Sequence, residues 1–367
     1  MGPLSGASIR TFVAPSRYVQ GADAVEALGT LVARRRQRAA VLVDAPLVDS
    51  IGKRIIASLE EAGVPSLMVP AAGEVTLEHI AALAEAARGH GPDVVVAAGG
   101  GKALDLGKGV ARELRVPVVT VPTIASNDGP ASRVIALYDE EHRLIGTPQL
   151  VANPELVVVD TAVIAAAPDR FLRSGIGDAI AKRFEADACR RAGGLTSHGQ
   201  RPLVLPEAIA EGCYRVLLED APAALERDPE AFERVVEAAV LMSGLAFENG
   251  GLSLAHAMTR GLMVCAGARE HLHGYHVAYG LLVQLAHERD PAYETVRAFL
   301  REIGLPRALS DLDASADADT LIALARSAVD SPHRGNCDPA PTIASVVEAL
   351  ERVEGDASGE RATVEAT

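Results

Sequence analysis

The chain predicts two domains of different class, an N-terminal α/β domain on a mainly parallel sheet and a C-terminal domain that is all helix. Three observations carry this. Short apolar runs alternate with helix-period stretches up to about residue 160, the strand signal then fades into Ala/Leu/Glu-rich helical periodicity, and a triple glycine follows one of the strands directly. Strand–helix alternation is the pattern of a parallel sheet covered by helices on both faces.

The expected strands are 39–43, 66–69, 93–98, 116–121, 133–138 and 156–159, with helical stretches at 47–62 and 77–88 between them. Helices are expected at 161–190, 206–221, 229–246, 252–266, 276–289 and 293–303. The boundary falls at Pro168-Asp169, where a proline precedes an amphipathic run, giving domains 1–168 and 169–367. Residues 354–367 are polar and show no periodicity, so they are expected to fray.

Composition excludes several function classes. With 367 residues, 49% hydrophobic and 23% charged, the chain can bury two cores and is not globally disordered. Trp is absent and aromatics make up 3%, which disfavours a base-stacking surface, and a net charge of -14 disfavours a polyanionic partner such as nucleic acid. The basic run Arg34-Arg35-Arg36 with Arg38 is read as a solvated helix end. Cys189, Cys213, Cys265 and Cys337 form no CxxC pair and suit free thiols in a reducing, cytoplasmic setting. No run of 18 apolar residues suggests a membrane span.

The run 93–98 leads into Gly99-Gly100-Gly101-Lys102-Ala103-Leu104-Asp105 and then a helix. Glycines at a strand-to-helix turn let the backbone approach a pyrophosphate, which the helix N-terminus favours. The loop is neither GxGxxG nor a Walker A sequence, and a merely tight turn would use the same residues. Asp44 ends an early strand, where a carboxylate bonds the adenosine ribose 2′-hydroxyl and repels a 2′-phosphate, so NAD is favoured over NADP. Asp44 as a turn or cap residue is the plainer alternative.

The histidines point to a second site. His256 lies in a helical run after Gly250-Gly251, His271, His273 and His276 cluster shortly after it, and Asp178 stands between apolar stretches in Gly175-Ile176-Gly177-Asp178-Ala179. One carboxylate and two imidazoles with an open position are what a catalytic divalent metal requires. A single helical histidine is usually structural, and the residues alone leave the choice among the clustered histidines open.

Five blocks in order carry a resemblance: GGGKALDLGK from Gly99, VPTIASNDGPAS from Val121, GIGDAIAKRFEA from Gly175, GLAFENGGLSLAHA from Gly244 and HLHGYHVAYG from His271. Together they resemble the polyol, glycerol dehydrogenase-like branch of the iron-containing (group III) alcohol dehydrogenases over nearly the whole chain. The resemblance implies a Rossmann-like domain joined to a helical one (the dehydroquinate synthase-like fold) and a metal held by Asp178, His256 and His273. It places Asp44, the Gly101–Asp105 loop, Thr123, Ser126, Ser132, Val134 and Tyr138 at NAD-contacting positions. Asp128 falls at a substrate-contacting position and Phe247 beside the bound polyol. The implied reaction moves a hydride between NAD and a secondary hydroxyl of a small polyol, in a homo-oligomer that in this family is commonly an octamer.

Members with four protein ligands place a histidine one helical turn after the aspartate, whereas Lys182 stands there in this chain. That favours a three-residue zinc site, with iron as the alternative. Arg133, Arg260, His271 and His276 are either salt-bridge residues or a rim for an anionic substrate, as in a glycerol-1-phosphate dehydrogenase. A sugar-phosphate cyclase of the dehydroquinate synthase type is the reading from another enzyme class; it would use NAD without net accumulation of NADH.

Overall fold

The computed structural model of the chain describes residues 9–139 and 143–365. Two compact units result, Val13–Asp169 and a second formed from Arg170 onward together with the segment before Val13. The N-terminal segment, which the sequence placed with the sheet, therefore counts with the helices, and Arg10 Nη1 donates to the Pro202 carbonyl at 3.2 Å.

The first unit contains β1 (Tyr18–Gly21), β2 (Ala39–Asp44), β3 (Ser66–Ala71), β4 (Val94–Gly99), β5 (Val118–Pro122), β6 (Leu137–Tyr138), β7 (Leu144–Gly146) and β8 (Leu156–Asp160). Its helices are α1 (Leu28–Ala33), α2 (Lys53–Glu61), α3 (Leu77–Arg88), α4 (Gly101–Leu114) and α5 (Thr161–Ala165). Six strands form one sheet in the order β1-β8-β5-β4-β2-β3, every pair parallel. A parallel sheet is covered on both faces, which is why β2, β4 and β8 are apolar almost without interruption. Alternation sorts their side chains: Val41, Val43, Val94 and Val96 pack with Val25, Leu28, Ile55 and Leu59, while Ala40, Leu42, Val95 and Ala97 pack with Ile80, Leu83, Leu106 and Val110.

The expected strand 133–138 is corrected. Only Leu137–Tyr138 is extended, pairing antiparallel with β7 outside the main sheet, and Val134 makes an isolated bridge to Gln149. Side chains take the backbone groups a longer strand would pair. Ser132 Oγ accepts from Val134 N at 3.0 Å, Lys108 Nζ donates to Val134 O at 2.9 Å, and Asp105 Oδ2 accepts from Ala136 N at 3.1 Å. The strand β1 was not expected; it is a short edge strand paired only to β8.

The second unit holds α6 (Asp169–Ile180), α7 (Lys182–Arg191), α8 (Leu205–Leu225), α9 (Pro229–Glu237), α10 (Ser243–Gly250), α11 (Leu254–Leu262), α12 (His273–Glu288), α13 (Tyr293–Glu302), α14 (Ala318–Val329) and α15 (Ile343–Glu365). Among the described residues no single helix is long and apolar enough to cross a membrane. One pair passes that test jointly, Pro229–Gly250 with Leu254–Leu262, and it is bent by 104°. All four cysteines are free thiols.

The expectation of a frayed end from residue 354 is overturned as far as Glu365; residues 366 and 367 lie outside the described residues. Gly355 and Gly359 each disfavour a helix by roughly 1 kcal/mol relative to Ala and blur its pattern. Val346, Ala349, Leu350, Val353 and Ala357 nevertheless form a buried stripe at helical spacing. Polar anchors hold the last turns. Glu354 Oε1 accepts from Tyr279 Oη at 2.8 Å and Leu309 N at 2.9 Å, Asp356 from Tyr293 Oη at 2.9 Å, and Glu360 from Arg297 Nε at 2.9 Å.

Deleting residues 354–367 would strand the buried donors of Tyr279, Tyr293 and Arg297. At roughly 1–3 kcal/mol for each buried orphan, the chain should lose several kcal/mol in urea unfolding. An unchanged midpoint would show that the tail contributes nothing.

Candidate metal centre and cofactor loop

The metal-type site begins with two helices that touch through glycine. On α6, a Cβ at Gly177 would stand 2.4 Å from the Gly274 carbonyl oxygen; on α12, a Cβ at Gly274 would stand 1.7 Å from that of Ser174. Neither contact is physically possible, so only glycine at both positions lets the backbones meet. Ser174 Oγ accepts from Gly274 N at 3.1 Å and sets the register. Asp178 follows Gly177 and His273 precedes Gly274, so this approach is what brings carboxylate and imidazole together. Gly280 repeats the device against α11, where a Cβ would lie 2.4 Å from Ala255 O.

His256 is delivered by α11, whose first turn is buried. A helix start leaves its N–H groups without partners. Here Glu185 on α7 accepts from Ser253 N at 2.9 Å and His256 N at 3.1 Å, while Gln284 on α12 accepts from Ala255 N at 3.0 Å and Ser253 Oγ at 2.9 Å. The other Glu185 oxygen meets His256 Nδ1 at 2.7 Å. A carboxylate there accepts from Nδ1–H and so turns Nε2 toward Asp178, the arrangement that orients metal-binding histidines.

His256 Nε2 lies 3.2 Å from Asp178 Oδ1 and His273 Nε2 lies 4.0 Å from it, and one donor atom from each residue falls within 4.8 Å of the others. Ligand atoms around a tetrahedral zinc, at bond lengths of about 2.0–2.2 Å, stand about 3.3 Å apart. A carboxylate oxygen and two imidazole nitrogens at these separations fit a divalent cation after small rotamer adjustments. Lys182 Nζ also reaches this point, donating to Asp178 O at 3.0 Å and to Asp178 Oδ1, and lying 3.3 Å from His256 Nε2.

Charge follows from the geometry. Burial would raise the Asp178 carboxyl, but the Lys182 ammonium and the His256 hydrogen bond outweigh it and hold the group well below the usual carboxylate range. Burial likewise opposes charge on Glu185, and His256 again wins, holding it low. Desolvation pulls His256 down, yet Glu185 and Asp178 leave it above the ordinary imidazole value. His273 goes the other way. Desolvation of its inward edge lowers it despite Asp178, although 39% of its side chain is exposed, so its nitrogen stays a neutral donor.

In the α/β unit the glycine loop sits where strand order reverses. From β2 the chain moves out to β3 and returns past β2 to β4, so Asp44 and Gly99 meet at the crevice where doubly wound sheets bind ligands. Gly99 has φ +145°, and a Cβ there would lie 2.7 Å from both Asp44 Cβ and Ala103 Cβ. Gly100 precedes the first turn of α4, with Gly101 opening the helix. Asp44, Gly73, Glu74, Lys102, Ala103 and Leu106 line a hollow of 280 Å³. Lys102 Nζ is paired with Glu74 at 2.9 Å.

The remaining predicted cofactor residues fall around this loop. Thr123 N donates to Gly99 O at 3.1 Å; Thr123, Ser126 and Ser132 are buried. Asp105 is turned to Lys108 Nζ at 3.0 Å and to Ala136 N, so both its oxygens tie the loop internally. Burial, with Asp105 and Glu74 nearby, pushes the Tyr138 hydroxyl up to about 12. Asp128 is buried in the same unit, at the start of a short turn, and Phe247 is half-buried on α10. The rim weighed for an anionic substrate loses two members, for His276 is turned inward onto Ala268 O at 2.7 Å and His271 is paired with Asp313 at 2.9 Å. Sequence reasoning missed Glu185 and Gln284; in the unbroken helix expected over 161–190, Glu185 falls seven residues after Asp178 and so on its face, which was the available signal.

Comparison with known proteins follows the same lines. Residues 15–161 match the iron-containing alcohol dehydrogenase family. A glycolaldehyde reductase of Halobacterium salinarum is 39% identical over 308 residues, 82% of this chain and 84% of its own. A glycerol dehydrogenase of Thermotoga maritima is 38% identical over 350 residues, 92% and 95%. The crystal structure of glycerol dehydrogenase from Schizosaccharomyces pombe has a TM-score of 0.91 at 30% identity, covering 98% of this chain and 94% of that one.

Glu185→Gln keeps the shape but removes the charge behind His256. The substitution is expected to lower metal affinity about 10–100-fold, read as metal retained after dialysis. Retention equal to that of the unaltered chain would mean that Glu185 does not orient the ligand.

Proposed function

The chain belongs to the iron-containing alcohol dehydrogenase family as an alcohol and polyol dehydrogenase of the glycerol dehydrogenase-like kind, and on that footing we propose that it transfers a hydride between NAD and a secondary hydroxyl of a small polyol, with zinc as its metal. The observation that carries this reading is the convergence of Asp178, His256 and His273, backed by Glu185 on the far side of His256. Three protein donors leave room for a substrate oxygen, and hydride transfer needs a Lewis acid rather than a redox metal, which favours zinc over iron.

When bound, zinc would lower the pKa of a coordinated hydroxyl, as it lowers that of water toward about 7, and NAD would accept the hydride. The protein's part is positioning and charge. Asp178 supplies the anionic ligand, and Glu185 fixes the His256 tautomer. His273, held low by desolvation, offers an uncharged nitrogen. In the α/β unit Gly99, Gly100 and Gly101 would admit the pyrophosphate to the start of α4. Asp44 would accept from the adenosine ribose hydroxyls, and the Glu74–Lys102 pair leaves that lysine less free to meet a 2′-phosphate. Asp128 is assigned to a second hydroxyl of the polyol and Phe247 to the apolar side of the substrate. We assign the α/β unit, apart from Asp128, to the cofactor and the helical unit to metal and substrate.

The relative named as a glycolaldehyde reductase favours a second substrate, a two-carbon hydroxyaldehyde reduced by the same site in reverse. The inward turn of His276 and the Asp313 partner of His271 argue against a phosphorylated substrate. Four free cysteines suit a reducing cytoplasm.

The test is NADH formation from glycerol and other small diols. Activity should vanish on chelation and return with zinc. His256→Ala should lower kcat by about 10³-fold, the equivalent of ~4 kcal/mol, while NAD binding stays within about twofold. Full turnover after complete metal removal would refute the metal's role, and turnover without net NADH would point to the cyclase reaction.

A further inference from the structure

We propose that Lys182 is a built-in placeholder cation at the metal centre, one that neutralises Asp178 in the metal-free protein and must leave the donor atoms before a divalent ion can take them. The inference rests on the metal reading above and adds the residue that sets how tightly the metal is held.

Lys182 opens α7 one helical turn after Asp178, and its side chain is 1% exposed. Its ammonium contacts two of the three converging donor atoms, Asp178 Oδ1 and His256 Nε2, and the Asp178 carbonyl as well. These are the atoms a metal needs. An ammonium on Asp178 Oδ1 and a divalent cation on the same oxygen would be like charges a few ångströms apart in a poorly solvated place, so the two states exclude each other. The lysine stem has four rotatable carbons, so its head group can withdraw without moving the helix.

An ion pair remote from the donor atoms would leave metal affinity untouched when removed. A placeholder makes two linked demands instead. Without Lys182 the metal should bind more tightly, since nothing has to be displaced. The metal-free protein should also become less stable, because Asp178 is then a buried carboxylate facing only imidazoles.

The experiment compares the metal-stripped, full-length chain with Lys182→Met, which keeps the stem and removes the charge, and with Lys182→Gln. Zinc affinity is measured by competition with a chromophoric chelator, and thermal unfolding is followed with and without zinc. Affinity is expected to rise at least tenfold in both variants. Their metal-free midpoints should fall, and zinc should restore them. In the unaltered protein, amine labelling of Lys182 read by mass spectrometry should increase when zinc is added, a measurement that needs no variant to fold. Equal or weaker zinc affinity in the variants, or labelling indifferent to zinc, overturns the placeholder role alone. Absence of zinc binding by all three proteins overturns the metal reading and this inference with it.

Discussion

A carboxylate buried to 1% exposure on Asp178 is the constraint around which the helical unit is organised. An ionised group there must be compensated by charge or hydrogen bonds, because isolated burial would cost far more than a domain's net stability. The neighbours meet that demand in layers. Lys182 and His256 touch the carboxylate, His273 stands at 4.0 Å, and Glu185 balances His256 from behind. Two buried carboxylates and one ammonium leave one negative charge in excess, which attracts positive charge to the imidazoles. This is visible in the raised His256 and, more generally, is the field that selects a cation.

Close helix contact makes this arrangement possible. Gly177, Gly274 and Gly280 remove the side chains that would hold α6, α11 and α12 apart, and buried polar groups, Glu185 and Gln284, satisfy the helix start that the contact encloses. The α/β unit uses the same physical device for a different purpose. Gly99 lets β4 end against Asp44 at the reversal of strand order, opening a place where backbone N–H groups can face an anion. In both units glycine is required by a named contact.

Much of this was legible in the sequence because it is written locally. Continuous apolar runs gave β2, β3, β4, β5 and β8, and the ordered blocks around Gly99, Asp178, His256 and His273 named the site residues, three of which the fold brings within ligand distance. The features that escaped depend on partners distant in the chain. Residues 133–138 have strand composition, but Lys108, Asp105 and Ser132 take their backbone groups. The end from Glu354 looked unpatterned because only Ala357 there continues the apolar stripe that begins at Val346, and its polar anchors depend on Tyr279, Tyr293 and Arg297. Lys182 was visible only as a missing histidine. That it lies on the donor atoms is a fact of three-dimensional packing.

The most direct test of the central claim is X-ray absorption at the zinc edge on the zinc-loaded chain. The account predicts one zinc per chain in a shell of oxygen and nitrogen at about 2.0–2.2 Å, with the multiple-scattering signature of two imidazoles. A shell containing sulfur at about 2.3 Å would place the ion on the cysteines and contradict it, as would a shell without imidazole.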